Sequence, residues 1–159
     1  MSEKKLMLID GNSLLFRAFY ALPLLHNREG VYTNGVYGFL TMFNRVTADE
    51  QPSHIVVAFD MDRKTFRSEI YGEYKANRSA PPVELQGQFQ LLRDVLTALN
   101  VHYIETPGYE ADDIIGTLSK WAEDENLDCL IVTGDGDALQ LVSDQVQVLM
   151  TKKGISEMQ

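Results

Sequence analysis

The sequence predicts an α/β domain: a mainly parallel, twisted sheet with helices on both faces, a three-layer arrangement of the Rossmann type. Three observations carry this. Short apolar runs alternate with amphipathic stretches of helical length along the 159-residue chain. Strands joined through helices must cross over, which makes neighbouring strands parallel. Three of the apolar runs also end in the same way, on an aspartate.

The first strand is Leu6 to Ile9, and an amphipathic stretch from Ser13 follows it. A second helix runs from about Asn34 to Ala48, where Tyr37, Phe39, Leu40 and Phe43 have core spacing. His54 to Phe59 is the next strand, and residues 61 to 80 form a polar excursion. Pro81-Pro82 opens a helix with Val83, Leu85, Phe89, Leu92, Val95, Leu96 and Leu99 at three-to-four spacing. A strand from Val101 to Ile104 leads into the turn Thr106-Pro107-Gly108. The helix from about Glu110 to Glu125 carries Ile114, Leu118 and Trp121 on one stripe, with Ile115 and Ala122 beside it. Leu127 to Val132 is a strand, Ala138 to Val142 a short helix, and Val146 to Met150 the last strand. There is no internal repeat and no low-complexity segment.

A chain of this length with 45% hydrophobic residues is expected to be one domain, 1–159. The opening MSEKKLMLIDGN does not look like a secretory leader, because its apolar run is only Leu6 to Ile9 and Asp10 ends it. No run reaches the length of a membrane span, so no membrane partner is expected. The single cysteine, Cys129, lies in the apolar run Cys129-Leu130-Ile131-Val132 and reads as a small buried hydrophobe. A reducing cytoplasm is the expected location.

The acids carry the functional signal. Leu8-Ile9-Asp10-Gly11-Asn12, Ala58-Phe59-Asp60 and Val132-Thr133-Gly134-Asp135-Gly136-Asp137 each put aspartate just after a strand. Carboxyl ends of parallel strands share one edge, where open α/β sheets keep their ligand crevices. Glu110-Ala111-Asp112-Asp113 opens a helix at that same edge. Glu110 and Asp113, three apart, are expected on one helix face, with Asp112 turned roughly 100° away. Acids in a first helical turn also serve the helix dipole, and aspartate is a common cap. Seven at one edge, however, repel one another by several kcal/mol at an effective dielectric of roughly 20 unless cations or protons compensate.

All-oxygen donors favour Mg²⁺ or Mn²⁺, since His26, His54 and His102 are scattered and show no paired ligand spacing. Such a cluster suits phosphodiester hydrolysis, with the ions activating water and neutralising charge. The sequence has neither a GxxxxGK[ST] phosphate loop nor a G-x-S-x-G elbow, which disfavours a nucleotide-driven motor or an α/β hydrolase. The formal net charge of -9 argues at first against nucleic acid. Setting the seven acids aside brings the acidic count close to the basic count of 14, so most of the deficit is the site itself. Arg63, Lys64, Arg67, Lys75 and Arg78 outweigh Asp62, Glu69 and Glu73 and make one stretch locally basic.

Leu8-Ile9-Asp10-Gly11-Asn12, Phe16-Arg17-Ala18-Phe19-Tyr20, Gly35-Val36-Tyr37-Gly38-Phe39, Tyr74-Lys75-Ala76-Asn77-Arg78, Gly108-Tyr109-Glu110-Ala111-Asp112-Asp113 and Thr133-Gly134-Asp135 together resemble the 5′ nuclease domain of bacterial DNA polymerase I. Flap endonucleases and PIN-domain ribonucleases are more distantly similar. The resemblance implies a PIN-like fold and metal-dependent hydrolysis of DNA at 5′ ends and flaps in primer removal and repair. It implies that Asp10, Asp60, Glu110, Asp112, Asp113, Asp135 and Asp137 coordinate metal directly or through water, two ions in the full-length domain. Residues from about 61 to 80 would match an arch over the site. Lys75 and Arg78 would contact the scissile phosphate, Tyr74 would stack on a base, and Arg17 and Arg67 would touch phosphates.

Two departures qualify the resemblance. Gly136 stands where the family carries Arg or Lys, which removes a positive charge and predicts a more flexible turn. The chain also stops at Gln159, before the family's further acids and duplex-gripping hairpin and before any polymerase domain. The expectation is a surviving fold with an incomplete metal site and weakened or lost activity. A free-standing PIN-type ribonuclease and a non-catalytic metal-binding fragment are the alternatives.

Overall fold

The computed structural model describes residues 4–60 and 82–150. The expected arch, with Arg67, Tyr74, Lys75 and Arg78, lies outside the described residues. Five parallel strands form one sheet in the order β3-β2-β1-β4-β5: β1 (Lys5–Asp10), β2 (His54–Ala58), β3 (His102–Ile104), β4 (Asp128–Thr133) and β5 (Val146–Met150). The helices are α1 (Gly11–Ala21), α2 (Asn34–Glu50), α3 (Val83–Ala98) and α4 (Ala111–Asp124), with a 3-10 helix at Gly136–Leu141. No helix among the described residues is long and apolar enough to cross a membrane.

Strand period decides which face each residue serves. Met7 and Ile9 of β1, Val57 of β2, and Leu130 and Val132 of β4 point to a core shared with Leu14, Leu15 and Phe19 of α1, Phe39, Met42 and Phe43 of α2, and Leu85, Leu92 and Leu96 of α3. The alternate residues Leu6, Leu8, Cys129, Ile131 and Val146 pack against Ala111, Ile114, Ile115 and Ala122 of α4. Among the described residues, three helices therefore cover one face and α4 covers the other. Cys129 is buried, and its thiol is pushed up to about 12 by burial and then by Glu123, as a small core residue should be.

The three helices of the larger layer are tied by a buried amide pair. Asn34 Nδ2 donates to the Phe19 carbonyl (2.9 Å), Gln88 Nε2 donates to Asn34 Oδ1 (2.9 Å), and Gln88 Oε1 accepts from Val36 N–H (3.0 Å). Both residues are almost wholly buried, and each bond offsets desolvation that an unpaired amide would suffer. Helices α3 and α4 close on Asn100 and Asn126, whose φ values of 60° and 58° are the left-handed conformation asparagine tolerates at a helix end.

Four side chains read as core from their spacing stand at the surface. Val83, the first residue of α3, is 77% exposed, Tyr37 62%, Leu99 54% and Trp121 48%. Periodicity finds the stripe but not its width: Tyr37 lies beyond the strip that α1 and α3 cover, and Leu99 is the C-cap, past the last helical turn. Trp121 borders a cleft of about 500 Å³ with Leu6, His54, Val56 and Leu118, at the end of the sheet away from the aspartates.

Phe59, fully buried, packs edge-on against Tyr103 with ring centroids 5.7 Å apart and lies hard against the start of α1. A Cβ on Gly11 would come within 2.5 Å of its ring, whereas one on Gly87, exposed in α3, would meet nothing within 4 Å. Gly11→Ala is therefore expected to destabilise by about 1–3 kcal/mol through overpacking. Gly87→Ala should stabilise by about 0.5–1 kcal/mol through helix propensity. Urea unfolding of the two variants should show midpoints moving in opposite directions.

Candidate metal centre

The parallel register brings three aspartates to one edge. Asp10, last in β1, pairs with Ala58, and Ile9 pairs with Val132, so the three central strands end level. Strand order reverses between β1 and β4, the switch point at which open sheets leave a crevice. Asp10 and Asp135 stand on its two sides.

Asp10 is 3% exposed and caps α1, accepting from Ser13 N–H at 3.1 Å through Oδ1. Its Oδ2 accepts from the Thr133 hydroxyl (3.1 Å). Burial raises its carboxyl above the usual range, partly offset by these hydrogen bonds, and Asp60 raises it further. The same Thr133 oxygen accepts from Asp135 N–H (3.0 Å), and Ser13 Oγ accepts from Gly134 N–H (3.0 Å). One small hydroxyl network thus sets the positions of Asp10 and Asp135 relative to each other. Arg17, on the first turns of α1, donates to the Gly134 carbonyl (3.0 Å) and braces the same loop.

Asp60 follows Phe59 beyond β2. Its N–H donates to Asn12 Oδ1 (2.9 Å), and its own Oδ1 accepts from Ala111 N–H (2.6 Å) at the start of α4. Three loops are thereby joined on this residue. Asp135 caps the 3-10 helix by accepting from Asp137 N–H (2.9 Å).

The group at the start of α4 divides differently from the expectation drawn from its spacing. Glu110 is the N-cap, with extended φ and ψ of -91° and 167°, so it does not share a helical face with Asp113. The two form a capping box, in which Asp113 Oδ2 accepts from Glu110 N–H (3.0 Å). Asp112 is the residue turned to the strand ends. Asp112, Asp135 and Asp137 each offer a carboxylate oxygen, all within 4.8 Å of one another. Burial, and then the charges of Asp10, Asp135, Asp60 and Glu110, push the Asp112 carboxyl from 3.8 up to about 7. A half-buried carboxylate surrounded by four others calls for a cation, and an all-oxygen set is suited to a hard divalent one.

Ser13, Asn12 and Thr133 complete this arrangement and were not given roles from the sequence. Short hydroxyl and amide residues at a strand end read as ordinary caps. Gly136 is not at positive φ, and the nearest atom to a Cβ there is Met150 Cε at 3.9 Å, so its backbone does not require glycine. No steric reason separates this chain from one with a basic residue at that position.

The model of the 5′-3′ exonuclease, N-terminal resolvase-like domain, matches residues 5–159. DNA polymerase I of Mycobacterium tuberculosis is 55% identical over 159 residues, covering 99% of this chain and 18% of that protein. DNA polymerase I of Bacillus caldotenax is 51% identical over 157 residues with the same coverages. The chain thus spans less than a fifth of the length of these relatives. Among solved structures, the T5 D15 protein co-crystallised with metal ions superposes with a TM-score of 0.67 at 23% identity, covering 92% of this chain and 55% of that one. The catalytic core of Rad2 in complex with a DNA substrate gives 0.56 at 15% identity, covering 98% and 46%. At those identities the superpositions bear on the fold, which is that of 5′ nucleases.

The electrostatics of the acid edge set a pH dependence. Asp112 keeps its proton in the folded protein where the unfolded chain has lost it, so the native state binds more protons between pH 3.8 and about 7. Stability of the metal-free protein is therefore expected to fall as pH rises through that window. Asp10, also raised, acts with the same sign. Thermal unfolding in EDTA should show a lower Tm at pH 8 than at pH 5.5, and Asp112→Asn should flatten the difference.

Proposed function

The chain belongs to the family of the 5′-3′ exonuclease N-terminal resolvase-like domain, and from that premise we propose that it is the metal-binding part of a 5′ nuclease. Its reaction is hydrolysis of DNA phosphodiester bonds at 5′ ends and flaps, in primer removal and repair. The observation that carries this reading is the convergence of Asp112, Asp135 and Asp137 within 4.8 Å at the carboxyl edge of the sheet. The relatives' name, DNA polymerase I, supports a polymerase domain as the neighbour in the parent protein.

The residues present fit a divalent ion by donor chemistry: oxygen donors, a shared edge, and an Asp112 proton that neighbouring charges already disfavour releasing. Asp112, Asp135 and Asp137 are the proposed direct ligands of Mg²⁺ or Mn²⁺. Asp10 and Asp60 complete the negative field, held by Ser13, Thr133, Asn12 and Ala111. Glu110 and Asp113 contribute charge while serving as the cap of α4, and the seven acids together suit two ions. A bound divalent ion would lower the pKa of the attacking water and neutralise charge on the scissile phosphate. Thr133 and Ser13 keep Asp10 and Asp135 from moving apart when the site empties. Arg17 keeps the Gly134 loop in place, and a DNA phosphate contact for it is proposed from the family resemblance. Lys75 and Arg78 on the scissile phosphate, Tyr74 on a base and Arg67 on the backbone complete the proposal from the family resemblance. A cytoplasmic setting accords with replication and repair.

Incubation of the chain with a 5′-flap DNA and Mg²⁺ or Mn²⁺ tests the reading. Cutting is expected to require the ion and to stop in EDTA. Asp135→Ala should lower the rate by more than about 100-fold, beyond what loss of an outer-shell partner alone typically costs. Cutting that survives Asp135→Ala would remove Asp135 from the site. Metal binding without cutting would assign the chain as a non-catalytic metal-binding fragment.

A further inference from the structure

Arg93 is the charge in the described core that the acid edge leaves unexplained. It lies on α3 between Leu91-Leu92 and Leu96, with its side chain only 10% exposed. Its guanidinium stands 4.5 Å from the centroid of the Phe59 ring. One nitrogen, Nη2, donates to the Asp60 carbonyl (3.1 Å) and lies 3.2 Å from Glu105 Oε2. A buried cation with its partner is often no more stabilising than an apolar side chain of the same volume. The arrangement therefore leaves room for a use other than stability.

Asp60 supplies that use. Its N–H is held by Asn12 beyond β1, and its carbonyl is held by Arg93 from α3. With both flanking peptide groups held, its Cα–Cβ direction is set, and the hydrogen bond from Ala111 N–H at the start of α4 selects the carboxylate position. Phe59, just before it, is wedged between the start of α1 at Gly11 and the Arg93 guanidinium. Glu105, beyond β3, meets the same guanidinium nitrogen that grips the Asp60 carbonyl. Taking the acids as the metal centre proposed above, we propose that Arg93 is a positioning residue for that centre. By gripping the Asp60 carbonyl it sets where the Asp60 carboxylate stands relative to Asp112 and Asp10, and hence how tightly the site takes a divalent ion. The planar guanidinium lies over Phe59 while reaching both the carbonyl and Glu105, and a lysine ammonium lacks that planar face.

Mn²⁺ titration of the chain, followed by the EPR signal of the free ion, measures this without reference to cleavage. Thermal unfolding in EDTA and near-ultraviolet circular dichroism report whether each variant is folded. Arg93→Lys and Arg93→Met are expected to weaken Mn²⁺ binding by roughly 10-fold, the lower end of outer-shell effects. Glu105→Gln, which keeps the grip on the Asp60 carbonyl, should stay within about twofold of wild type, because a neutral amide can still accept from the guanidinium. Exchange of the Ala111 amide proton, held by Asp60 Oδ1, should quicken in the Arg93 variants and not in Glu105→Gln. Should Arg93→Met fail to fold, Arg93→Lys carries the comparison. Wild-type affinity in a folded Arg93→Lys variant overturns the inference, as does an equal loss in Glu105→Gln, which would make the ion pair the source of the effect. Failure of the wild-type chain to bind Mn²⁺ at all would overturn the metal-centre reading, and the Arg93 inference with it.

Discussion

Repulsion among carboxylates gathered at one edge of a parallel sheet is the constraint around which this molecule is organised. Two unit charges about 4 Å apart in surroundings of effective dielectric about 20 repel by about 4 kcal/mol. The fold answers in two ways. It lets burial and crowding hold the Asp112 proton, and it spends backbone amides and hydroxyls on the others: Ser13 N–H and Thr133 on Asp10, Ala111 N–H on Asp60, Asp137 N–H on Asp135. A divalent cation would replace the proton, so the same crowding that weakens the empty site strengthens the filled one.

The scaffold's contribution is alignment. Level strand ends place Asp10 and Asp60 next to each other, and the reversal of strand order puts Asp135 on the other side of Asp10. Helix α4 then enters with Asp112 in its first turn. None of these acids rests on a long unsupported loop. Each lies within a residue or two of a strand end or a helix start, where backbone geometry is set by the sheet and by the core beneath it, so the donor spacing is built before any ion arrives.

Much of this was legible in the sequence because two periodicities and one recurring ending are local signals. Leu8-Ile9-Asp10, Ala58-Phe59-Asp60 and Val132-Thr133-Gly134-Asp135 each announce a strand and an acid beyond it, and parallel crossovers do the rest. What was not legible depends on which layer covers which face. Tyr37 has the spacing of a core residue and lies outside the covered strip. Arg93 sits among leucines on α3 and looks like surface charge until β2 and β3 are placed beneath it. The division of labour at Glu110, Asp112 and Asp113 turned on a single residue: with Glu110 outside the helix as its cap, Asp113 folds back on the cap and Asp112 faces the strands. A one-residue shift of a helix start is beyond what spacing alone resolves.

The central claim is that Asp112, Asp135 and Asp137, backed by Asp10, are a divalent-metal site and not a set of caps that happen to be close. The most direct measurement is an anomalous difference map from crystals of the chain grown with Mn²⁺. The account predicts a peak within coordination distance of the Asp112, Asp135 and Asp137 carboxylates, lost in Asp135→Ala crystals. An acid edge that stays empty at saturating Mn²⁺, or an ion bound elsewhere on the surface, would contradict it.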